Sequence, residues 1–307
     1  MDKVTKDIYK YTLKFFIAGL RNLGIINTTK FIFLYLRLFN DVNLKLKNYG
    51  KINFNSNNLS LGFALMISNL NDFNEHQKNL VKQFLSQKDE EIIKIDNLKF
   101  IKMHGFLFFE SFVYESYKVS QGNGELIIDV GANIGDSTLY FANKGYRVLA
   151  FEPIKETFEK AKLNIDLNED LKDKINIVNK GIAYKNGEVK IYFSKDKFNE
   201  YSGLSSTYRE GKNYELFEVI SVESMLKEYE VSPYILKMDC EGCEVDIILK
   251  SDLTMFKEIY FEYHPFKKGM EVEPLIEKLK NDGFKLERIE GDKEGGVVKM
   301  TNPNFKR

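Results

Sequence analysis

The chain contains no tryptophan and only two cysteines, and its charges cancel, with 45 Lys and Arg against 45 Asp and Glu in 307 residues. Cys240 and Cys243 alone cannot form a disulfide framework of the secreted type, so a reducing, cytoplasmic compartment is expected. Balanced charge removes the electrostatic reason to expect a nucleic acid or an acidic partner. No apolar run reaches the roughly eighteen residues needed to cross a bilayer. Lys14, Arg21, Lys30 and Arg37 interrupt the most apolar N-terminal stretch, residues 11–40. That stretch also lacks a small-residue cleavage site behind a single apolar core, so neither a transmembrane segment nor a signal peptide is expected. Basic residues among its Phe, Leu and Ile leave peripheral membrane contact through the N-terminal helices open, beside the plainer expectation that these helices pack on the rest of the protein.

What is present divides the chain in two. Up to about Gln87 apolar residues recur at helical spacing in 15–23, 31–38 and 80–85, with the Asn- and Gly-rich residues 49–61 expected as a loop between them. Residues 92–103 read as two short strands around Asp96-Asn97, and the aromatic-rich segment 106–119 as a helix. From Glu125 the pattern becomes strand, turn, helix, repeated, the signature of a parallel sheet with right-handed crossovers. Strands are expected near 125–130, 147–151, 175–179, 234–238 and 258–263. Helices are expected near 135–143, 155–168, 222–229, 243–250 and 272–281, the last closed by Gly283. Asn186-Gly187 before 188–193 is a hairpin signal, and 284–289 with 297–300 reads as a closing antiparallel pair.

Residues 125–136, Glu-Leu-Ile-Ile-Asp-Val-Gly-Ala-Asn-Ile-Gly-Asp, read as a buried strand feeding a glycine turn and a helix. The dinucleotide fingerprint G-x-G-x-x-G is absent. A carboxylate, Asp129, instead precedes the turn; it would repel a pyrophosphate and suits the ammonium end of S-adenosylmethionine (SAM). The second strand ends in Glu152, about 20 residues on, where an acid hydrogen-bonds ribose hydroxyls. The candidate cofactor residues are therefore Asp129, Gly131, Ala132, Asn133, Gly135 and Asp136 in the first block, with Glu152 and Pro153 in the second.

A second cluster lies at the end of the fourth strand. Tyr234–Glu244 places Lys237, Asp239, Glu241 and Glu244 around its carboxyl end, and the fifth strand runs into Glu262-Tyr263-His264-Pro265. Open α/β sheets bind ligands at that edge. The C-x-x-C spacing of Cys240 and Cys243 allows redox or zinc chemistry, but a zinc site needs about four ligands and no second pair exists, so two small apolar fillers flanking Gly242 are expected. Lys237 and Glu244 are equally readable as a structural ion pair. Asp239, Glu241 and Glu262 have the chemistry of divalent-cation ligands, but their spacing fixes no geometry and no metal is expected. His76 and His104 stand alone.

From roughly Phe112 to Ile289 the sequence resembles the FkbM family of SAM-dependent methyltransferases. The blocks that carry the resemblance are Asp129–Asp136, Phe151-Glu152-Pro153, Leu236–Glu244 (departing at Met238, Cys240 and Cys243) and Glu262-Tyr263-His264. The resemblance implies an α/β fold: a class I, Rossmann-like SAM methyltransferase sheet with a C-terminal antiparallel hairpin. It places that methyltransferase domain at 106–307, preceded by a mainly helical cap or substrate region at 1–105. It also implies O-methylation of a hydroxyl on a sugar, glycan or natural product, with SAM as cofactor. Such a transfer needs the acceptor oxygen held in line and its proton removed. His264 is the expected base and Asp239 its alternative, Lys237 orients Asp239 or the acceptor, and Glu241, Glu244 and Glu262 lie on the substrate side. The blocks usual for methylating nucleic-acid bases, Asn/Asp-Pro-Pro-aromatic and Pro-Cys, do not occur. The rival expectation is a non-catalytic SAM-binding regulatory or scaffold module.

Overall fold

The computed structural model describes residues 16–306 apart from 48, 56–57, 69, 89, 102, 104, 193–213, 264–270 and 293–294. His264, the expected base, lies outside the described residues, as do Pro265, His104 and Phe193. Two compact units divide the chain, Met1–Glu115 and Ser116–Arg307. The division falls beyond the expected 105/106 boundary.

The first unit is less helical than its composition implies. Helical residues 16–23 and the helices Ile25–Tyr35, Leu59–Ile67 and Glu75–Ser86 are joined by two hairpins. The first pairs β1 (Asp41–Leu46) with β2 (Gly50–Asn55), where a loop was expected over 49–61. Its physical basis is alternation: Val42, Leu44, Leu46, Ile52 and Phe54 point inward while Asn and Lys point out, so a strand period survives in a polar-looking segment. The second pairs β3 (Ile92–Ile95) with β4 (Leu98–Ile101), turning at Asp96 with φ of 52°. The expected 106–119 helix is shorter, a turn at Gly105–Phe108 widening into a π-helical turn, Phe109–Val113. Asn74 and Gln77 form a reciprocal cap at the start of Glu75–Ser86. Ile25, Ile26, Leu36, Leu38 and Phe39 are exposed, yet among the described residues no helix is long and apolar enough to cross a membrane.

The second unit is built on a seven-stranded sheet. In chain order its strands are β5 (Leu126–Val130), β6 (Arg147–Phe151), β7 (Ile175–Val178), β11 (Ile235–Met238), β12 (Glu258–Tyr263), β13 (Lys285–Asp292) and β14 (Gly295–Thr301). Their spatial order is β13-β14-β12-β11-β5-β6-β7. The five strands from β12 to β7 run parallel, while β14 lies antiparallel to both β12 and β13. All five residues of β5 are buried, as a central parallel strand requires. On one face Ile128, Leu236, Met238 and Phe261 pack against the helices Val222–Glu228, Cys243–Lys250 and Val272–Asn281. Strand alternation turns Asp129, Lys237 and Tyr260 to the other face, and the register sets them side by side across β5, β11 and β12.

A smaller sheet holds β8 (Gly181–Ala183), β9 (Gly187–Tyr192) and β10 (Tyr214–Ser221) in the order β8-β10-β9. Asn186-Gly187 is therefore not the turn of a hairpin between its flanking strands, because both pair with β10. Asn186 instead accepts from the Ser221 amide at 2.7 Å and donates to Ser224 Oγ at 2.9 Å, fastening this connection to the start of Val222–Glu228.

Candidate active site

The carboxyl ends of β5, β6, β11 and β12 bring the two sequence clusters together. After β5 the chain turns through Gly131 (φ 78°), Asn133 (φ 49°) and Gly135 (φ 83°) into the helix Asp136–Asn143. The amides of Gly131 and Ala132 both donate to the Phe151 carbonyl at 3.0 Å, locking the turn onto β6. At Gly131 a Cβ would lie 1.8 Å from the Asp239 carbonyl oxygen, so the conformation and the approach of the β11 turn both require glycine.

Asp129 is completely buried. Its Oδ2 accepts from Ser137 Oγ at 2.8 Å and Thr138 Oγ1 at 2.7 Å, and its Oδ1 lies 3.0 Å from Lys237 Nζ. Both oxygens thus face the protein's own side chains, a different setting from the ligand-facing one expected for this carboxylate. Lys237, 1% exposed, also donates to the Gly131 carbonyl at 2.9 Å. It stands 4.0 Å from Asp239 Oδ2 and 5.2 Å from the centre of the Tyr117 ring. Burial alone would lower its pKa, but the carboxylates of Asp129, Asp239 and Asp136 reverse that and raise it above the ordinary lysine value. Lys237 is therefore a fixed cation with Asp129 as its near partner, whereas the ion pair expected above was with Glu244.

Glu152 closes the other side of the turn. Its Oε2 accepts from the Asn133 amide at 2.9 Å, and its Oε1 from the Ile154 amide and Thr157 Oγ1, each at 2.9 Å. Asn179 holds the backbone there by donating to the carbonyls of Glu152 and Pro153 at 2.9 and 3.0 Å. Burial pushes the Glu152 carboxyl up to about 7, even though these donors favour its charged form. A carboxyl raised in the folded state holds its proton while the unfolded chain has lost it, so its contribution to stability falls as pH rises from about 4.5 to about 7. The expected loss is about 3 kcal/mol across that window. Urea midpoints between pH 5 and 8 should fall less steeply in Glu152→Gln than in the wild type, the remaining slope coming from the raised Glu262 carboxyl; equal slopes would count against it.

The acids after β11 and β12 form the rest of the site. Glu262, partly buried, hydrogen-bonds with Asp239. Burial first, then the negative charge of Asp239, raise the Glu262 pKa well above the carboxylate range. The two therefore behave as a pair sharing a proton. The Tyr117 hydroxyl sits at the outer limit of hydrogen bonding, 3.5 Å from Glu262 Oε2. Glu244 accepts from the amides of Cys240 and Gly242, both at 2.8 Å, shaping the turn. Cys240 and Cys243 are not separate apolar fillers: a disulfide joins them. C-x-x-C spacing permits either state, and only the folded turn brings the two Cα atoms to 5.5 Å.

Sequence reasoning missed Ser137, Thr138, Thr157, Asn179 and Tyr117. For the first three a signal existed: hydroxyl residues in the first turn of a helix that follows a strand-end acid. Asn179 and Tyr117 reach the site only through strand order.

The strand order with its antiparallel β14, the glycine turn after β5 and the acid after β6 define the class I SAM methyltransferase fold. The chain belongs to the FkbM methyltransferase family, whose domain model, described as Methyltransferase FkbM domain, matches residues 129–286. A comparison with curated proteins finds no match. Among solved structures, FkbM methyltransferase from Methylobacillus flagellatus KT is 14% identical with a TM-score of 0.43, over 74% of this chain and 55% of that one. This chain thus spans only about half of that relative. TrmK of M. capricolum, solved with S-adenosylhomocysteine, is 11% identical with a TM-score of 0.38, over 62% of this chain and 68% of that one. Precorrin-6y C5,15-methyltransferase from Geobacter metallireducens GS-15 is 12% identical with a TM-score of 0.37, over 70% and 96%.

Proposed function

We propose that the protein is a SAM-dependent methyltransferase acting on a hydroxyl of a sugar, glycan or natural product. The observation that carries this reading is the meeting of a glycine turn, suited to an adenosyl group, with a proton-sharing carboxylate pair at neighbouring strand ends. The residues fit the cofactor. Gly131 and Gly135 hold the left-handed angles that carry the strand end into the helix, and Glu152 Oε2, with one protein donor, retains capacity for a ribose hydroxyl. When bound, the cofactor supplies a methyl group already activated on a sulfonium.

The chain's own residues do the rest. Asp129 fixes Lys237 and the first helical turn, and Lys237 in turn fixes the Gly131 carbonyl and the position of Asp239. Asp239, 4.0 Å from the Lys237 cation and hydrogen-bonded to Glu262, whose raised pKa favours its protonated form, takes the proton from the acceptor hydroxyl as that oxygen attacks. Glu241 is the remaining acid of that turn on the acceptor side, whereas Glu244, expected there too, is buried and holds the turn through the Cys240 and Gly242 amides. No resident metal enters the scheme.

Titration calorimetry with S-adenosylhomocysteine and with NAD tests the cofactor. Binding of the first and not the second is expected, and the reverse would end the proposal. Glu152→Ala should weaken adenosyl binding by about 1.5–3 kcal/mol, roughly tenfold or more. A screen of hydroxylated acceptors with methyl-labelled SAM then separates an enzyme from a binding module.

A further inference from the structure

We propose that Cys240 and Cys243 form a reversible thiol–disulfide site that sets the shape of the acid-bearing turn between Asp239 and Glu244. Its effect on methyl transfer rests on the function proposed above; its effect on the turn does not. These are the chain's only cysteines, and they are bonded to each other across the middle of the turn. Both pack against the core yet are only partly buried, so neither is sealed from solvent. The bond spans Glu241 and Gly242, which hold left-handed φ angles of 56° and 120°. A left-handed conformation is unfavourable for glutamate and needs its surroundings to impose it. Two restraints do so here: the disulfide, and the pair of 2.8 Å hydrogen bonds from the Cys240 and Gly242 amides to the Glu244 carboxylate.

The turn is not isolated from the glycine turn after β5. A Cβ at Gly131 would fall 1.8 Å from the Asp239 carbonyl oxygen and 3.3 Å from the Cys240 Cα. Relaxation at Cys240 therefore moves both the carboxylate that faces Glu262 and the wall of the adenosyl turn. In the reaction a dithiol reductant attacks one sulfur through its thiolate, breaking the S–S bond and forming a mixed disulfide. Its second thiol then displaces the remaining cysteine. Two electrons and two protons end on Cys240 and Cys243, and the reductant leaves as a disulfide.

The test uses the full chain, oxidised or treated with dithiothreitol without denaturant. Free thiols are counted by alkylation and mass spectrometry, and hydrogen exchange is followed at residues 239–244. Reduction of the folded protein, with faster exchange in that turn, is expected. S-adenosylhomocysteine affinity should fall about fivefold or more on reduction. The double variant Cys240→Val with Cys243→Ala should resemble the reduced form and ignore dithiothreitol. Sulfurs that react only after unfolding, or identical exchange in the two states, would overturn the proposal. Absence of S-adenosylhomocysteine binding in both states would instead overturn the cofactor reading, and the exchange comparison would still decide the switch.

Discussion

Lys237→Met should cost the fold about 3–5 kcal/mol, the usual consequence of removing one partner of a buried ion pair. Methionine keeps most of the volume of the lysine stem, so the loss is electrostatic rather than a cavity. Asp129, completely buried, would retain only the hydroxyls of Ser137 and Thr138, and the Gly131 carbonyl would lose its 2.9 Å donor. Asp239 would lose the cation 4.0 Å away. The check is a denaturant midpoint for Lys237→Met, for Asp129→Asn and for the two combined. The double variant should recover part of the loss, because it no longer strands a charge. Strict additivity of the two changes would mean that the pair is not coupled.

Asp239→Asn should lower turnover by roughly 10² to 10⁴ while leaving S-adenosylhomocysteine affinity nearly unchanged. The substitution keeps the shape of the side chain and removes the carboxylate proposed to accept the hydroxyl proton. Because Glu262 carries the shared proton, the wild-type rate should fall on the acid side, as a second proton binds the pair, and be steady where one remains. His264→Ala is the control on the competing assignment. A mild effect there alongside a severe one at Asp239 supports the carboxylate pair. The opposite result makes His264 the base and Asp239 a positioning residue. Loss of S-adenosylhomocysteine binding in either variant would put that residue in the cofactor site.

The second unit was more legible in the sequence than the first. Buried parallel strands are short apolar runs, and in β5, β6 and β11 each run ends in an acid or a glycine that names its own boundary. Helix ends were legible for the same local reason, as at Gly283, whose φ of 96° closes Val272–Asn281. The β1–β2 hairpin was not, because its Asn and Gly content masks an alternation that matters only once one face is covered. Strand β10 lay beyond reach: it sits between two strands that precede it in the chain, and no local spacing encodes that order. At the site, the glycine turn, Glu152 and the acids after β11 were readable as blocks. Asp129 was read as facing a ligand because sequence shows a strand-end carboxylate but not its strand-neighbour across the sheet. Only the β5–β11 register puts Lys237 beside it.

The contact between Gly131 and the Asp239 carbonyl also limits how this scaffold can diversify. With no room there for a single extra carbon, the glycine turn and the acid turn cannot be varied as independent cassettes. A swap of either one from a relative must bring a backbone path that keeps the same separation. Laboratory evolution of this scaffold will therefore find its tolerated changes outside this seam rather than in it.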